Sequence, residues 1–387
     1  MKESANSKTG IRLSDHQRLN WLRLIRTDNI GPVTFRDLIL FCGSASSAIE
    51  MLPDLNIRGG SARPIRVMSM DDAERLEAIQ RAGARLVGMG EPDYPSQLKN
   101  CESPPPLVTI KGNAAAFGKP PVAIVGSRNA SVIGARFTER LAHDLGEAGF
   151  AVISGLARGI DAAAHRASMK TGTVAVLAGG LDRPYPPENL PLYRDIPEQG
   201  GALISEMPMG AEPRSRDFPR RNRIIAGLSL GLIVVEAAER SGSLISARMA
   251  GDMGRIVFAV PGSPLDPRAR GTNLLLKQGA TLVTEANDVI EALQPLAGSS
   301  IYRATMPMQP DLLSPLMDEP ESFQPIATEK QREIVVDALG PVPTDIDTLV
   351  RHTGMDTGAV QLVLLELDLA GRLHRYAGNQ VALVPPE

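Results

Sequence analysis

The sequence predicts an α/β protein: a Rossmann-like core on a parallel sheet, an all-α domain before it and a winged-helix domain behind it. Three observations carry this. Between residues 121 and 262, short β-branched runs alternate with helical patterns, the order of βαβ units. The first run, Val122, Ala123, Ile124 and Val125, is apolar on successive residues, as in a strand covered on both faces. After residue 326, three helical patterns precede a strand, a turn and a second strand.

The elements follow in order. Residues 1 to 10 are polar and expected as a disordered tail. Helical spacing through Leu19, Leu22 and Ile25 predicts a helix over 15 to 26, a second spans 34 to 41, and a third spans 71 to 82. Together 11 to 82 form a small all-α domain. The NIGP turn between the first two has the kind of sequence by which helix-hairpin-helix modules offer amides to phosphate. Only one glycine of the usual pair is present, so a plain helical bundle is the preferred reading.

Residues 85 to 117 hold a strand, three consecutive prolines and another strand-like run, read as an extension on the edge of the core sheet. The core, 83 to 294, continues as AVIS then GIDAAAHRASMK, TVAVLAG then NLPLYRDI, ALIS then FPRRNRIIAGL, GLIVVEA then SLISARMAGDMG, and IVFAV. It finishes with TLV and a helix over 286 to 293. Residues 295 to 326, with prolines at 295, 307, 310, 315, 320 and 325, cannot build a packed core and are expected as a linker. The remainder, 327 to 387, is a separate winged-helix domain. Its third helix, over 357 to 370, has no Lys or Arg and carries Glu366 and Asp368. Major-groove reading through it is therefore disfavoured, and a partner or regulatory surface is expected there.

Composition limits the function. With 41 Lys+Arg against 44 Asp+Glu the net charge is −3, so any polyanion site must be local. Cys42 and Cys101 have neither metal nor redox spacing. No apolar run reaches membrane-span length and no signal peptide is evident, so a cytoplasmic protein without membrane association is expected.

In a Rossmann-like sheet the ligand crevice lies beyond the carboxyl ends of the strands. The residues there include Gly126, Ser127 and Arg128, Ser154 and Gly155, Ser205 and Glu206, and Glu236. Glycine and hydroxyl groups with one cation indicate a phosphate-bearing ligand. After Gly126 the next glycine is Gly134, so the dinucleotide fingerprint is absent; no P-loop motif occurs either. Ser131 suits a helix N-cap. Arg128 has no comparable structural reason to stand at the mouth of the sheet.

In SGLARGIDAAAH, Arg158 sits on a glycine turn, and Asp161 and His165 lie four apart on the following helix. A third metal ligand is not evident, so an intrahelical hydrogen-bonded pair is the preferred reading and no metal is assigned. The densest cationic stretch is PRSRDFPRRNR. On a helix starting near Pro219, Arg220 and Arg223 share a face, Ile224 and Ile225 point inward, and Arg221 and Asn222 stand beside the sheet opening. Arginines next to Phe218 suit single-stranded nucleic acid, guanidinium for phosphate and an aromatic face for a base. The ERSGS turn either caps a helix or binds phosphate. Capping is the simpler reading, with Ser241 and Ser243 as secondary candidates. No nucleophile with a partner base is evident, and the histidines at 16, 143, 165, 352 and 374 lie mostly away from the crevice.

AIVGSRNASVIG, SGLARGIDAAAH, AVLAGGLDRPYPPEN, SEMPMGAEP, FPRRNRIIAGLS and VVEAAERSGSLISARMA, in this order, closely resemble the DNA-processing protein A family (DprA, also called Smf). The resemblance covers about 85 to 297. It implies a SAM-like helical domain in front and a winged helix behind. It also implies a single-stranded DNA-binding protein that protects incoming strands and loads the RecA recombinase during natural transformation, as a homodimer through the Rossmann domain. DNA contacts of the family carry over onto Arg128 and the FPRRNR segment, chiefly Phe218, Arg220 and Arg223. No cofactor and no enzymatic activity are implied. The alternative is a Rossmann-type nucleotide phosphoribohydrolase-like enzyme, of whose PGG-x-G-T turn and glutamate Pro261 to Ser263 and Glu236 are poor echoes. A winged-helix regulator with a nucleotide sensor is weakened by the acidic third helix.

Overall fold

The computed structural model describes residues 12–81, 83–101, 103–298, 327–376 and 378–384. They form two compact units. One holds the described residues from Leu76 to 298, the other joins those up to Arg75 with those from 327 onward. The expected tail and most of the expected linker lie outside the described residues.

The first unit is built on nine strands: β1 (Arg85–Gly88), β2 (Leu107–Gly112), β3 (Pro121–Val125), β4 (Ala151–Ser154), β5 (Thr173–Val176), β6 (Ala202–Ser205), β7 (Gly231–Val234), β8 (Ile256–Ala259) and β9 (Thr281–Leu282). Their spatial order is β1-β2-β6-β5-β4-β3-β7-β8-β9. From β6 to β9 every pair is parallel, while β2 joins β6 and β1 joins β2 antiparallel. The proline-preceded run thus extends the sheet at its edge, as expected.

Strands β3 to β6 step outward in one direction, and β7 to β9 in the other. The order therefore reverses between β3 and β7, the place where open α/β sheets bind ligands. Helices α6 (Val132–Glu147), α7 (Ile160–Ser168), α8 (Leu190–Glu198), α9 (Asp217–Leu228), α10 (Gly242–Asp252), α11 (Arg270–Lys277) and α12 (Ala286–Gly298) accompany these strands, and the short α5 (Ser96–Lys99) separates β1 from β2. One apolar core packs Leu141, Leu145, Ile160, Val289 and Leu293 against Val122, Ile124, Ile233 and Phe258. A second gathers Leu156, Ala162, Leu192 and Ile196 around Ala175 and Leu203. The central strands are covered on both faces, which is why they read as continuous apolar runs. Helix α12 continues through Pro295, so the expected linker does not begin at 295.

The second unit opens with α1 (Asp15–Ile25), started by a Ser14–Gln17 capping box, then α2 (Pro32–Cys42) and α3 (Ala45–Arg58). Sequence patterning does not mark α3, whose run is interrupted by Pro53. Helix α4 (Met70–Arg81) spans the junction between the units. The winged-helix part supplies α13 (Glu329–Ala338), β10 (Thr344–Asp345), α14 (Ile346–Thr353), α15 (Thr357–Leu369) and the hairpin β11 (Leu373–Tyr376) and β12 (Gln380–Leu383). The three strands pair in the order β10-β12-β11.

Helix α15 is the third helix of the winged fold. It buries nearly its whole length, including Leu362, Val363, Leu364, Leu365, Leu367 and Glu366. Its neighbours are the N-terminal helices. Asn29 Nδ2 donates to the Leu369 carbonyl at 3.0 Å, Thr34 donates to Asp368 at 2.9 Å, and Arg375 bridges Asp368 and Asp37 at 2.9 and 3.1 Å. Gly59 lies so close that a Cβ there would stand 1.9 Å from the Glu366 carbonyl oxygen. The partner surface expected on this helix is thus met by the chain's own first helices. A helix apolar on every side has to be buried, and α15 is one.

Candidate nucleic-acid interface

A cavity of about 500 Å³ opens at the reversal point between β3 and β7. Its walls come from the loop after β3 (Gly126 to Asn129), the loop after β4 and the first turn of α7 (Ala157, Asp161), α9 (Phe218, Arg221, Asn222, Ile225) and the turn into α10 (Arg240, Ser241, Ser243). Four segments far apart in sequence are brought together by the sheet order alone.

The loop after β3 is held from below. Ser131 caps α6 by accepting from Gly134 N–H at 2.9 Å, so its expected capping role is realised. The same residue donates its N–H and its hydroxyl to Glu236, at 2.9 and 2.5 Å. Gly134 makes room for that carboxylate, since a Cβ there would lie 2.4 Å from Glu236 Oε1. Glu236 is therefore a strut for the loop, and its hydrogen bonds to Ser131 set it apart from a free catalytic acid.

Arg128 leaves this loop as an exposed side chain with no ion pair among the described residues. Its guanidinium lies 5.2 Å from the centroid of the Phe218 ring, a cation–π contact that holds it at the cavity rim. Ser127 Oγ accepts from Asn129 N–H at 3.1 Å and shapes the turn.

On α9 the arginines diverge. Arg220 and Arg223 share a face, as the sequence predicts, and both end on the buried Glu206 that follows β6. Arg220 Nε stands 2.5 Å from Oε1 and Arg223 binds Oε2. Arg223 also donates to the Ser103 carbonyl at 2.6 Å. Arg221 points into the protein, 6% exposed, and its Nη1 donates to the carbonyls of Gly155 and, at 2.8 Å, Val176. Gly155 permits this approach, because a Cβ there would lie 2.0 Å from that nitrogen. Burial lowers the Arg221 pKa to about 10, Asp161 opposing this and Arg128 adding to it. Ile224 and Ile225 are buried, as expected.

Asp161 and His165, expected as a hydrogen-bonded pair on the helix, each take other partners. Asp161 accepts from the amides of Gly155 and Ala157, at 3.0 and 3.3 Å, and burial raises its pKa against the lowering effect of Arg221. Thr173 spends its hydroxyl proton on the Val152 carbonyl at 2.9 Å, so the His165 Nδ1–H donates to Thr173 across 2.8 Å. Ser154 donates to the Ile124 carbonyl and is fully buried between β3 and β4, which keeps it from the cavity. Arg158 lies outside the main cavity and pairs with Glu188 at 3.5 Å.

Ser241 caps α10, accepting from Ser243 N–H at 3.3 Å, and the two hydroxyls bond at 2.6 Å. Both still line the cavity, as does Asn222, which donates to the Gly242 carbonyl at 3.4 Å. Sequence reasoning missed Arg240, an exposed cation on the cavity wall, and Asn129. Arg240 is the second residue of the ERSGS turn, directly before the Ser241 cap, and that position on the turn was the signal available.

Fold and cavity define a Rossmann-type protein whose crevice, at the reversal of its sheet, is lined by a helix N-terminus, hydroxyl groups and the exposed Arg128 and Arg240. The family model for DNA recombination-mediator protein A matches residues 85–294. A DprA-like N-terminal HHH domain matches 15–78 and a DprA winged helix domain matches 319–379. The chain belongs to the DprA/Smf family. Protein Smf of Escherichia coli (strain K12) is 37% identical over 313 residues, 79% of either chain, and DNA processing protein DprA of Bacillus subtilis (strain 168) is 41% identical over 221 residues, 56% of this chain and 74% of its own. The X-ray structure of DNA processing protein A from Streptococcus pneumoniae superposes with a TM-score of 0.55 at 34% identity, covering 72% of this chain and 93% of that one. DNA processing protein A from Helicobacter pylori, described for its single-stranded DNA binding mode, gives 0.51 at 27%, covering 55% and 97%.

The match to an HHH domain also corrects the reading of NIGP as part of a plain bundle. Asn29 adopts the left-handed conformation, φ 62°, that a first glycine would otherwise supply. Asparagine tolerates this region, so the turn forms with one glycine.

Proposed function

We propose that the crevice binds the sugar–phosphate backbone of single-stranded DNA. The observation that carries this is Arg128, exposed, without an acidic partner among the described residues, and held by Phe218 at the rim of a cavity that the N-terminal turn of α10 also lines. Family membership and the strand-binding relative from Helicobacter pylori support the same reading. On that basis the protein acts in DNA processing as a cytoplasmic homodimer through its Rossmann domain, protects incoming strands and hands them to the RecA recombinase. No chemical step is assigned to it. The phosphoribohydrolase alternative loses its glutamate, since Glu236 is engaged by Ser131.

The test is Arg128→Ala. Phosphate carries no sequence information, so affinity for single strands should fall alike for all sequences. The slope of log affinity against log salt should become shallower by about 0.7 for each phosphate the variant no longer neutralises. Unchanged affinity and slope would remove Arg128 from the site, and release of adenine from AMP by the wild-type protein would favour the enzyme reading.

A further inference from the structure

We propose that Tyr185, on the loop between β5 and α8, is the residue on which an unpaired nucleobase stacks. This rests on the single-strand reading of the crevice and assigns the aromatic role to a different ring from Phe218.

Phe218 is poorly placed to receive a base. Its ring is only partly exposed and has the Arg128 guanidinium at 5.2 Å, the Arg221 guanidinium at 5.9 Å and the Tyr185 ring edge-on at 5.7 Å. A base arriving on that ring would have to displace a cation already attracted to its π-face. Tyr185 is 48% exposed, and its hydroxyl has no hydrogen bond among the described residues. Large aromatic side chains are usually buried, so an exposed ring buttressed edge-on by a second ring is a preformed flat surface.

Its position makes that surface part of the crevice. A second, smaller depression is lined by Tyr185, Pro186, Gly155 and Arg158, and shares Arg128, Ala157, Phe218 and Arg221 with the main cavity. The two depressions thus adjoin at these four shared residues. A strand whose phosphate meets Arg128 therefore has an adjoining base beside Tyr185, while Arg158 in the same depression is paired with Glu188 and is not needed as a phosphate contact. In this arrangement Phe218 is a positioning residue for Arg128. Single-strand sites generally combine aromatic platforms with cations in this way, and the platform tolerates any base because every base has a π-face.

The experiment compares two single-stranded oligomers of equal length, oligothymidylate and an abasic backbone, with Tyr185→Ala, Tyr185→Phe and Phe218→Leu in the full chain. Tyr185→Ala should weaken thymidylate binding by about tenfold, within the range found for base–aromatic stacking, and leave abasic binding unchanged. Tyr185→Phe keeps the ring and should match wild type. Phe218→Leu should weaken both oligomers by the same factor, because it loosens Arg128. Equal losses for Tyr185→Ala on both oligomers, or no loss, would overturn the stacking role while leaving the crevice intact. Failure of the wild-type protein to bind either oligomer would overturn the single-strand reading and this proposal together.

Discussion

The GSR turn and the FPRRNR helix start face the same cavity and use their cations in opposite ways. The turn has one arginine, Arg128, and it is exposed and unpaired among the described residues. The helix start has three in four positions, and all three are engaged within the protein: Arg220 and Arg223 by Glu206, Arg221 by two strand-end carbonyls. Charge counted along a sequence is thus a poor measure of charge offered to a ligand. What decides it is whether a carboxylate or a carbonyl already sits within reach.

The comparison breaks most visibly at Arg221. If it is a structural cation, Arg221→Met should cost about 3 to 5 kcal/mol, because it leaves Asp161 buried without its countercharge and two carbonyls without a donor. Urea unfolding measures this directly. A variant that keeps wild-type stability and loses DNA affinity would make Arg221 a ligand contact, and the contrast with Arg128 would disappear.

A pH titration examines the same buried cluster. Burial, assisted by the Arg221 and Arg166 charges, lowers the His165 pKa from 6.5 to about 3. Between those values the unfolded chain binds a proton that the folded one refuses, so this residue makes stability fall as pH drops from about 6.5 toward 3. Asp161, whose pKa is raised, acts with the opposite sign: its protonation favours the folded state on acidification. His165→Asn should therefore flatten the loss of melting temperature between pH 7 and pH 5, values chosen about the ordinary histidine pKa. An unchanged pH dependence would show that another group governs acid sensitivity there.

Much of this molecule was legible in its sequence because the signals were local. Period and composition marked the parallel strands, the Ser131 and Ser241 caps, and the shared face of Arg220 and Arg223. The pairings were not legible. Glu206 meets α9 only because β6 and α9 end at the same rim, and Glu236 meets Ser131 across 105 positions of chain. The proline-rich segment marked a break in the covalent chain. It could not reveal that α15 would find its apolar partner in helices more than 300 residues earlier, although the run of leucines showed that it needed one.

The smallest expected effect sharpens the comparison furthest. If Glu206 already satisfies Arg220, then Arg220→Gln should change single-strand affinity by less than about threefold, far less than Arg128→Ala, since a paired cation releases few counterions from DNA. The reverse change should have the opposite sign. Glu206→Gln keeps the size of the side chain and removes its charge, freeing Arg220, whose side chain is 39% exposed, to turn toward a backbone phosphate. Affinity at low salt should then rise, by about twofold, and the salt slope should steepen by up to about 0.7 for each further phosphate neutralised. Parallel titrations of both variants at two salt concentrations read this out. If Arg220→Gln instead loses as much affinity as Arg128→Ala, the Glu206 pair opens when the strand arrives, and the two arginines belong to one site.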